Sequence, residues 1–159
     1  MKNETLRLID GLSSDEKVNC ESLSMFTIKC NQDSSNVLAK CKEVLKIVLE
    51  NNENIELTLE DWKKLLPKWF IEKFGKEITQ EEAEERIKLP IEERMEKAWR
   101  LSAWIYWFEP NERQWYWYDA KVIDNNTIHL LVECEGWPFA WGALEWLFKV
   151  CGAIAIEEK

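Results

Sequence analysis

The distribution of tryptophan constrains this chain more than any other feature. All ten tryptophans lie between Trp62 and Trp146, and five of them fall within residues 98–120. Each indole buries roughly 200 Å² when it packs inside a protein, so a few tryptophans supply much of a core. We therefore expect the fold to be organised around residues 98–120, as a helix entering the core, a charged turn and an aromatic strand.

The helix predicted before that turn changes character along its length. Ile91 and Met95 recur at helical spacing among charged residues, whereas residues 101–108 are apolar in every direction. A helix that is apolar all round is buried all round. The pattern predicts that its second half is the central element of the fold.

An aromatic hairpin is predicted after the turn, with strands at 114–124 and 127–134 on either side of Asn125 and Asn126. Asparagine tolerates the positive φ that a two-residue type I′ turn requires. Both faces of this hairpin carry large apolar groups. We therefore expect an inner pair of strands, or a pair covered on both sides.

The other segments with a clear period are one strand and several helices. Alternation predicts a strand at 25–30, and spacings of three and four residues predict helices at 37–49, 62–74 and 143–151. Pro67 lies inside the second of these helical stripes, where it removes a backbone donor and predicts a kink or two short helices. Residues 6–9 fit either a short strand or a helical turn.

These elements together predict an α+β fold, in which several helices pack on a small, mainly antiparallel sheet. The 159 residues are enough to bury one substantial core, and we expect a single domain covering residues 1–159. No internal repeat or linker divides the chain.

The net charge of −9 restricts the classes of partner. A surface that binds phosphates needs clustered Lys and Arg, so nucleic acid is excluded as a ligand. An acidic protein can attract a basic protein partner, although the same charge also serves solubility alone.

The cysteines and the single histidine give no sign of a metal or a cofactor. The five cysteines are scattered without a CxxC pair, and His129 is the only histidine, so no metal site is predicted. No apolar run reaches the roughly 20 residues of a membrane span, and no signal segment opens the chain. We expect a cytoplasmic protein with reduced cysteines, no cofactor and no membrane association.

The candidate binding residues are aromatic, with one acid among them: Trp115, Trp117, Asp119, Trp137 and Trp141. In a two-residue hairpin, Asp119 faces Val132 on the side that carries Trp115 and Trp117. A carboxylate in that position is either a perturbed acid in an aromatic pocket or a buried ion pair. No catalytic motif accompanies it, and His129 is expected to be a partly exposed strand residue.

Two segments resemble those of small acidic bacterial proteins of the immunity type. They are WYWYDA at residues 115–120 and GWPFAWGALEWLFKVCGA at residues 136–153, in the last third of the chain. The resemblance implies a compact cytoplasmic protein that binds one toxin partner and carries out no catalysis. It transfers no site residues.

Two hypotheses about function from different classes follow. The first is a non-catalytic binding protein, an immunity-like antidote whose acidic surface meets a basic toxin. The second is a small-molecule or carbohydrate-binding module, or an enzyme, that uses an aromatic pocket around Asp119. A third interpretation, a structural or oligomer-forming protein, stays open as well.

Overall fold

The computed structural model describes residues 4–11, 23–90, 99–136 and 138–158. Its helices are α1 Glu4–Asp10, α2 Ser34–Asn51, α3 Leu59–Leu65, α4 Lys68–Ile71, α5 Gln80–Ile87, α6 Leu101–Tyr106 and α7 Gly142–Cys151. Its strands are β1 Leu23–Cys30, β2 Trp115–Asp124, β3 Thr127–Cys134 and β4 Ala153–Glu158. All neighbouring strands are antiparallel, in the order β2-β3-β1-β4. The predicted α+β fold is confirmed.

The core lies between one face of the sheet and helices α2 and α7. Phe26 and Ile28 of β1 are fully buried on that face, which confirms the alternation predicted for this strand. Trp117 of β2 stacks on Phe148 of α7, with ring centroids 6.4 Å apart and an interplanar angle of 8°. Each such side chain stabilises the fold by roughly 1.5–3 kcal/mol through its burial, so this face is the main source of stability.

The predicted breaks between the short helices occur where the sequence places them. Thr58 and Asp61 form a reciprocal capping box at the start of α3, in which each side chain accepts the other residue's backbone N–H. Pro67 then separates α3 from α4. Local chemistry therefore determines the boundaries of these helices.

The prediction of a central helix buried on all sides is wrong. Helix α6 has six residues, and it packs through Trp104, which is fully buried against Phe70 and Phe108. Tyr106 is 44% exposed on the opposite side. A tyrosine counts as apolar in a sequence pattern, but its hydroxyl is favoured at a surface with water. The first part of the predicted helix, residues 91–98, lies outside the described residues.

The hairpin forms, but the predicted type I′ turn is wrong. Asn125 and Asn126 make the two-residue connection, and neither has a positive φ. The carbonyl of Asn125 accepts the N–H of Ser34, and that of Asn126 accepts the N–H of Cys30. These long-range hydrogen bonds at 2.9 and 2.7 Å attach the hairpin tip to the segment between β1 and α2, and they compete with the local preference for a type I′ turn.

The predicted pairing of Asp119 with Val132 is also wrong. Asp119 pairs with Leu131 because a bulge at Ile123, beside the turn, shifts the register by one residue, and a second bulge at Tyr118 then pairs Trp117 with Val132. One extra residue moves the following side chains to the opposite face of the strand. Asp119 therefore does not share a face with Trp117.

The outer edge of β2 is covered by α1, which settles residues 6–9 as helix. The carboxylate of Glu4 accepts the N–H of Trp117 at 2.7 Å, and the guanidinium of Arg7 donates to the carbonyl of Trp117 at 3.3 Å. Both backbone groups of Trp117 are thus bonded outside the sheet. Covering an edge strand in this way prevents pairing with another chain there.

Candidate binding groove

A groove of about 430 Å³ lies between the end of α2, helix α3 and helix α6. The loop after α2 supplies Asn52, Asn54, Ile55 and Leu57 to its lining. The other lining residues come from α3, α6 and the turn after α6: Leu59, Trp62, Ser102, Ile105, Tyr106, Phe108, Glu109, Pro110 and Asn111. We call this cleft the acidic groove, for the charges described below.

One local and one long-range hydrogen bond fix the walls of the acidic groove. The side chain of Asn54 accepts the N–H of Glu56 at 3.1 Å, which forms a tight turn around Ile55. The side-chain amide of Asn52 donates to the carbonyl of Phe108 at 2.9 Å. The two walls are therefore joined at the base of the cleft.

The floor is apolar, and two large side chains stand exposed at its margin. Trp62 and Phe108 are 5% and 1% exposed and close the bottom of the cleft. Ile55 is 93% exposed and Tyr106 is 44% exposed. Exposed apolar side chains beside a cleft are typical of surfaces that bind another molecule.

The segments that line the acidic groove carry acidic residues and no basic ones, although Lys63, the next residue in sequence, pairs with Glu60 at 3.3 Å. Residues 47–62 and 101–112, which supply every residue of its lining, contain no Lys or Arg. Their acidic residues are Glu50, Glu53, Glu56, Glu60, Asp61, Glu109 and Glu112. All but Asp61 and Glu112 are exposed, so this part of the surface has a negative potential.

The ionisation of Tyr106 reflects this potential. A hydrogen bond to Glu112 is the largest cause that raises the pKa of the Tyr106 phenol. Burial and the negative charges of Glu112 and Glu109 raise this pKa further. Tyr106 therefore remains a neutral hydrogen-bond donor at physiological pH.

Most of the tryptophans predicted as binding residues belong to the core. Trp115 and Trp117 are 3% and 1% exposed, so their rings form no open platform for a ligand. Trp141 is half-buried, with its ring centroid 4.9 Å from that of Phe26. Trp137 lies outside the described residues.

Asp119 and His129 lie away from the acidic groove. Asp119 is half-buried directly after the bulge at Tyr118. It lies near Gly11, since a Cβ added to that glycine would be 3.9 Å from the Asp119 carboxylate. His129 is half-buried on β3 between Thr27 and Lys121, as expected for a strand residue. In the described part of the chain, no three His, Cys, Asp or Glu side chains are arranged to hold a metal ion.

The residues of the acidic groove were missed by sequence reasoning, although one signal was present. The two stretches without a basic residue, 47–62 and 101–112, are visible by counting charges. Nothing in the sequence shows that they lie side by side.

Comparison with protein families, with curated proteins and with solved structures finds no match to this chain. No helix within the described ranges is long and apolar enough to cross a membrane.

Proposed function

We propose that this chain is a non-catalytic binding protein that holds a basic protein partner in the acidic groove. The observation that carries the proposal is the coincidence of an apolar cleft with seven acidic residues and no basic residue in the segments that line it. Such a potential accelerates the encounter with a positively charged partner and disfavours acidic ones.

The exposed side chains suggest how a partner would be anchored. Ile55 and Tyr106 stand at the margin of a cleft whose volume of about 430 Å³ accommodates one or two large side chains. A few apolar or aromatic anchors supply most of the affinity in protein interfaces, and the charged rim contributes selectivity. We therefore expect the partner to present a large apolar side chain flanked by Lys or Arg.

The immunity-type role is the specific form of this proposal. It is supported by the resemblance at residues 115–120 and 136–153 and by the net charge of −9. In that role the partner is a basic toxin, and binding blocks its activity. A gene for a basic nuclease beside the gene for this chain would be the expected neighbour.

Photo-crosslinking identifies the partner and tests the location of the site. A photoreactive phenylalanine replaces Ile55 at the groove, or Ile154 on β4, which is 65% exposed and outside the groove. We expect a basic protein to be crosslinked in cells from position 55 and not from position 154. Crosslinking of neutral or acidic proteins only, from either position, would refute the proposal.

Charge reversal then tests the mechanism with the purified partner. The double variant Glu53→Lys/Glu109→Lys reverses two charges of the acidic groove. Its control, Glu43→Lys/Glu157→Lys, makes the same change in net charge at exposed positions on α2 and β4. Calorimetry should show affinity at least about tenfold weaker for the groove variant than for the control. Equal losses would mean that net charge, rather than the groove, determines binding.

A further inference from the structure

Helix α5 lies on the surface with none of its residues buried. It contains four glutamates, Glu81, Glu82, Glu84 and Glu85, and all four are exposed. Ile87 is nevertheless 67% exposed at its end, and Ala83 lies on the same side four residues earlier. The helix therefore presents an apolar stripe within an acidic surface, and the described part of its own chain does not bury that stripe.

A second cleft, of about 510 Å³, has the opposite character. It is lined by Lys63, Ile71, Phe74, Gly75, Lys76, Glu77 and Leu101. Residues 63–77 carry five lysines and two acidic residues, Glu72 and Glu77, and Lys63 pairs with Glu60 at 3.3 Å. The carboxylate of Glu77 accepts hydrogen bonds from the backbone and the hydroxyl of Ser102, which fixes it against the start of α6. We call this cleft the basic cleft.

We infer that α5 of one copy docks in the basic cleft of a second copy, so that the chain forms a salt-sensitive homodimer. The two surfaces match in charge and in hydrophobic character. An acidic helix with an exposed isoleucine would meet a lysine-lined cleft with an apolar floor. A helix of eight residues is about 12 Å long, which suits a cleft of this size. No residue of α5 lines the basic cleft of its own chain.

In a two-fold symmetric dimer, α5 of each copy occupies the basic cleft of the other. Each copy presents one helix and one cleft, so a reciprocal pair leaves no site open and does not grow into a filament. Among the described residues, the lining of the acidic groove shares no residue with that of the basic cleft, although Lys63 of the cleft pairs with Glu60 beside the groove. Dimerisation is therefore measured on the purified chain without its partner.

Sedimentation velocity of the purified full chain measures the dimer directly. We expect a concentration-dependent dimer whose dissociation constant weakens at least about tenfold between about 50 and 500 mM NaCl, because the Debye length falls from about 14 to 4 Å. A monomer at every concentration up to about 500 µM in low salt would overturn the inference.

A charge swap tests which surfaces meet. One variant carries Glu81→Lys and Glu84→Lys on α5, and the other carries Lys63→Glu and Lys76→Glu in the basic cleft. Each variant alone should dimerise at least about tenfold more weakly than the natural chain, because like charges then face each other. An equimolar mixture should form heterodimers with an affinity within about threefold of the natural chain, since opposite charges face at both contacts.

The outcomes of the swap are distinct. A mixture that does not form heterodimers, while both variants keep the circular dichroism spectrum of the natural chain, would overturn the inference. Full dimerisation of either variant alone would overturn it as well. The control Lys46→Glu/Lys121→Glu makes the same charge change as the cleft variant at positions outside both surfaces. It should dimerise like the natural chain, and loss of its dimer would overturn the assignment of the cleft.

Discussion

The ion pair between Glu4 and Arg113 gives the sharpest test of the packing at the edge of the sheet. Two hydrogen bonds of 2.6 Å join the carboxylate to the guanidinium. Their side chains are only 7% and 6% exposed. The same carboxylate also accepts the N–H of Trp117. Glu4→Gln removes the charge, keeps the shape and leaves the guanidinium buried without its counter-ion.

Removing one partner of a buried pair costs about 3–5 kcal/mol. An amide oxygen can still accept one hydrogen bond, so we expect a loss near the lower end, about 3 kcal/mol. This is a large part of the 5–15 kcal/mol that typically stabilises a domain. Urea unfolding followed by tryptophan fluorescence measures the change, with the slope of the transition unchanged if the folded state is intact.

The exposed pair between Glu60 and Lys63 supplies the control. Its atoms lie 3.3 Å apart, and the Glu60 side chain is 75% exposed, so Glu60→Gln should cost less than about 1 kcal/mol. Adding Arg113→Met to Glu4→Gln removes the uncompensated charge, so the double variant should lose less than the sum of the two single losses. A Glu4→Gln loss equal to that of the control, or strictly additive losses, would refute this account of the edge.

Three further predictions concern the core, α3 and a buried thiol. Ile28→Ala on β1 should cost about 2–5 kcal/mol, and Ile154→Ala on β4 less than about 0.5, since these side chains are 0% and 65% exposed; equal losses in urea unfolding would contradict the burial of Ile28 in the core. Backbone and side-chain hydrogen bonds from Thr58 lower the pKa of Asp61 below its ordinary 3.8, so its stabilisation is complete above that pH and is lost as pH falls through the lowered value. The stability difference between the natural chain and Asp61→Asn should therefore shrink on acidification to about pH 2–3, and a constant difference would rule this out. Burial raises the pKa of the Cys41 thiol, so iodoacetamide should label Cys41 in urea and not in native buffer, as read by mass spectrometry of its peptide; rapid native labelling would show that this thiol is accessible.

Much of the fold could be predicted because its signals are local. The alternation around Phe26 and Ile28, the capping box at Thr58 and the break at Pro67 each act within a few residues of sequence. The strand and the break at Pro67 were predicted with the correct type, and α+β follows from elements of this kind. Periodicity and capping are determined by neighbouring residues, which a sequence shows directly.

The errors occur where distant parts of the chain determine the geometry. The turn at Asn125 and Asn126 follows hydrogen bonds to the segment before α2. Trp117 makes both of its outward hydrogen bonds with α1, more than 100 residues earlier, and bulges at Ile123 and Tyr118 shift the register of β2. A two-residue hairpin pattern contains no trace of these hydrogen bonds or bulges, so the predicted register and position of Asp119 were wrong.

The candidate site depends on both a local sequence signal and a long-range contact. The lack of basic residues in 47–62 and 101–112 is a sequence property, but their proximity depends on the packing of α3 and α6. Tryptophan content indicated Trp115 and Trp117 as binding residues, but both are buried in the core. The exposed Ile55 could be recognised only once its surroundings were known.

The dependence of partner affinity on salt is the most direct test of the acidic groove as the binding surface. For the basic protein crosslinked at position 55, we expect the dissociation constant to weaken at least about tenfold between about 50 and 500 mM NaCl. Removing charge with Glu53→Gln/Glu109→Gln should weaken binding in low salt and flatten this dependence. An affinity that is independent of salt, or a variant with the same salt dependence as the natural chain, would contradict the assignment of the acidic groove as the binding surface.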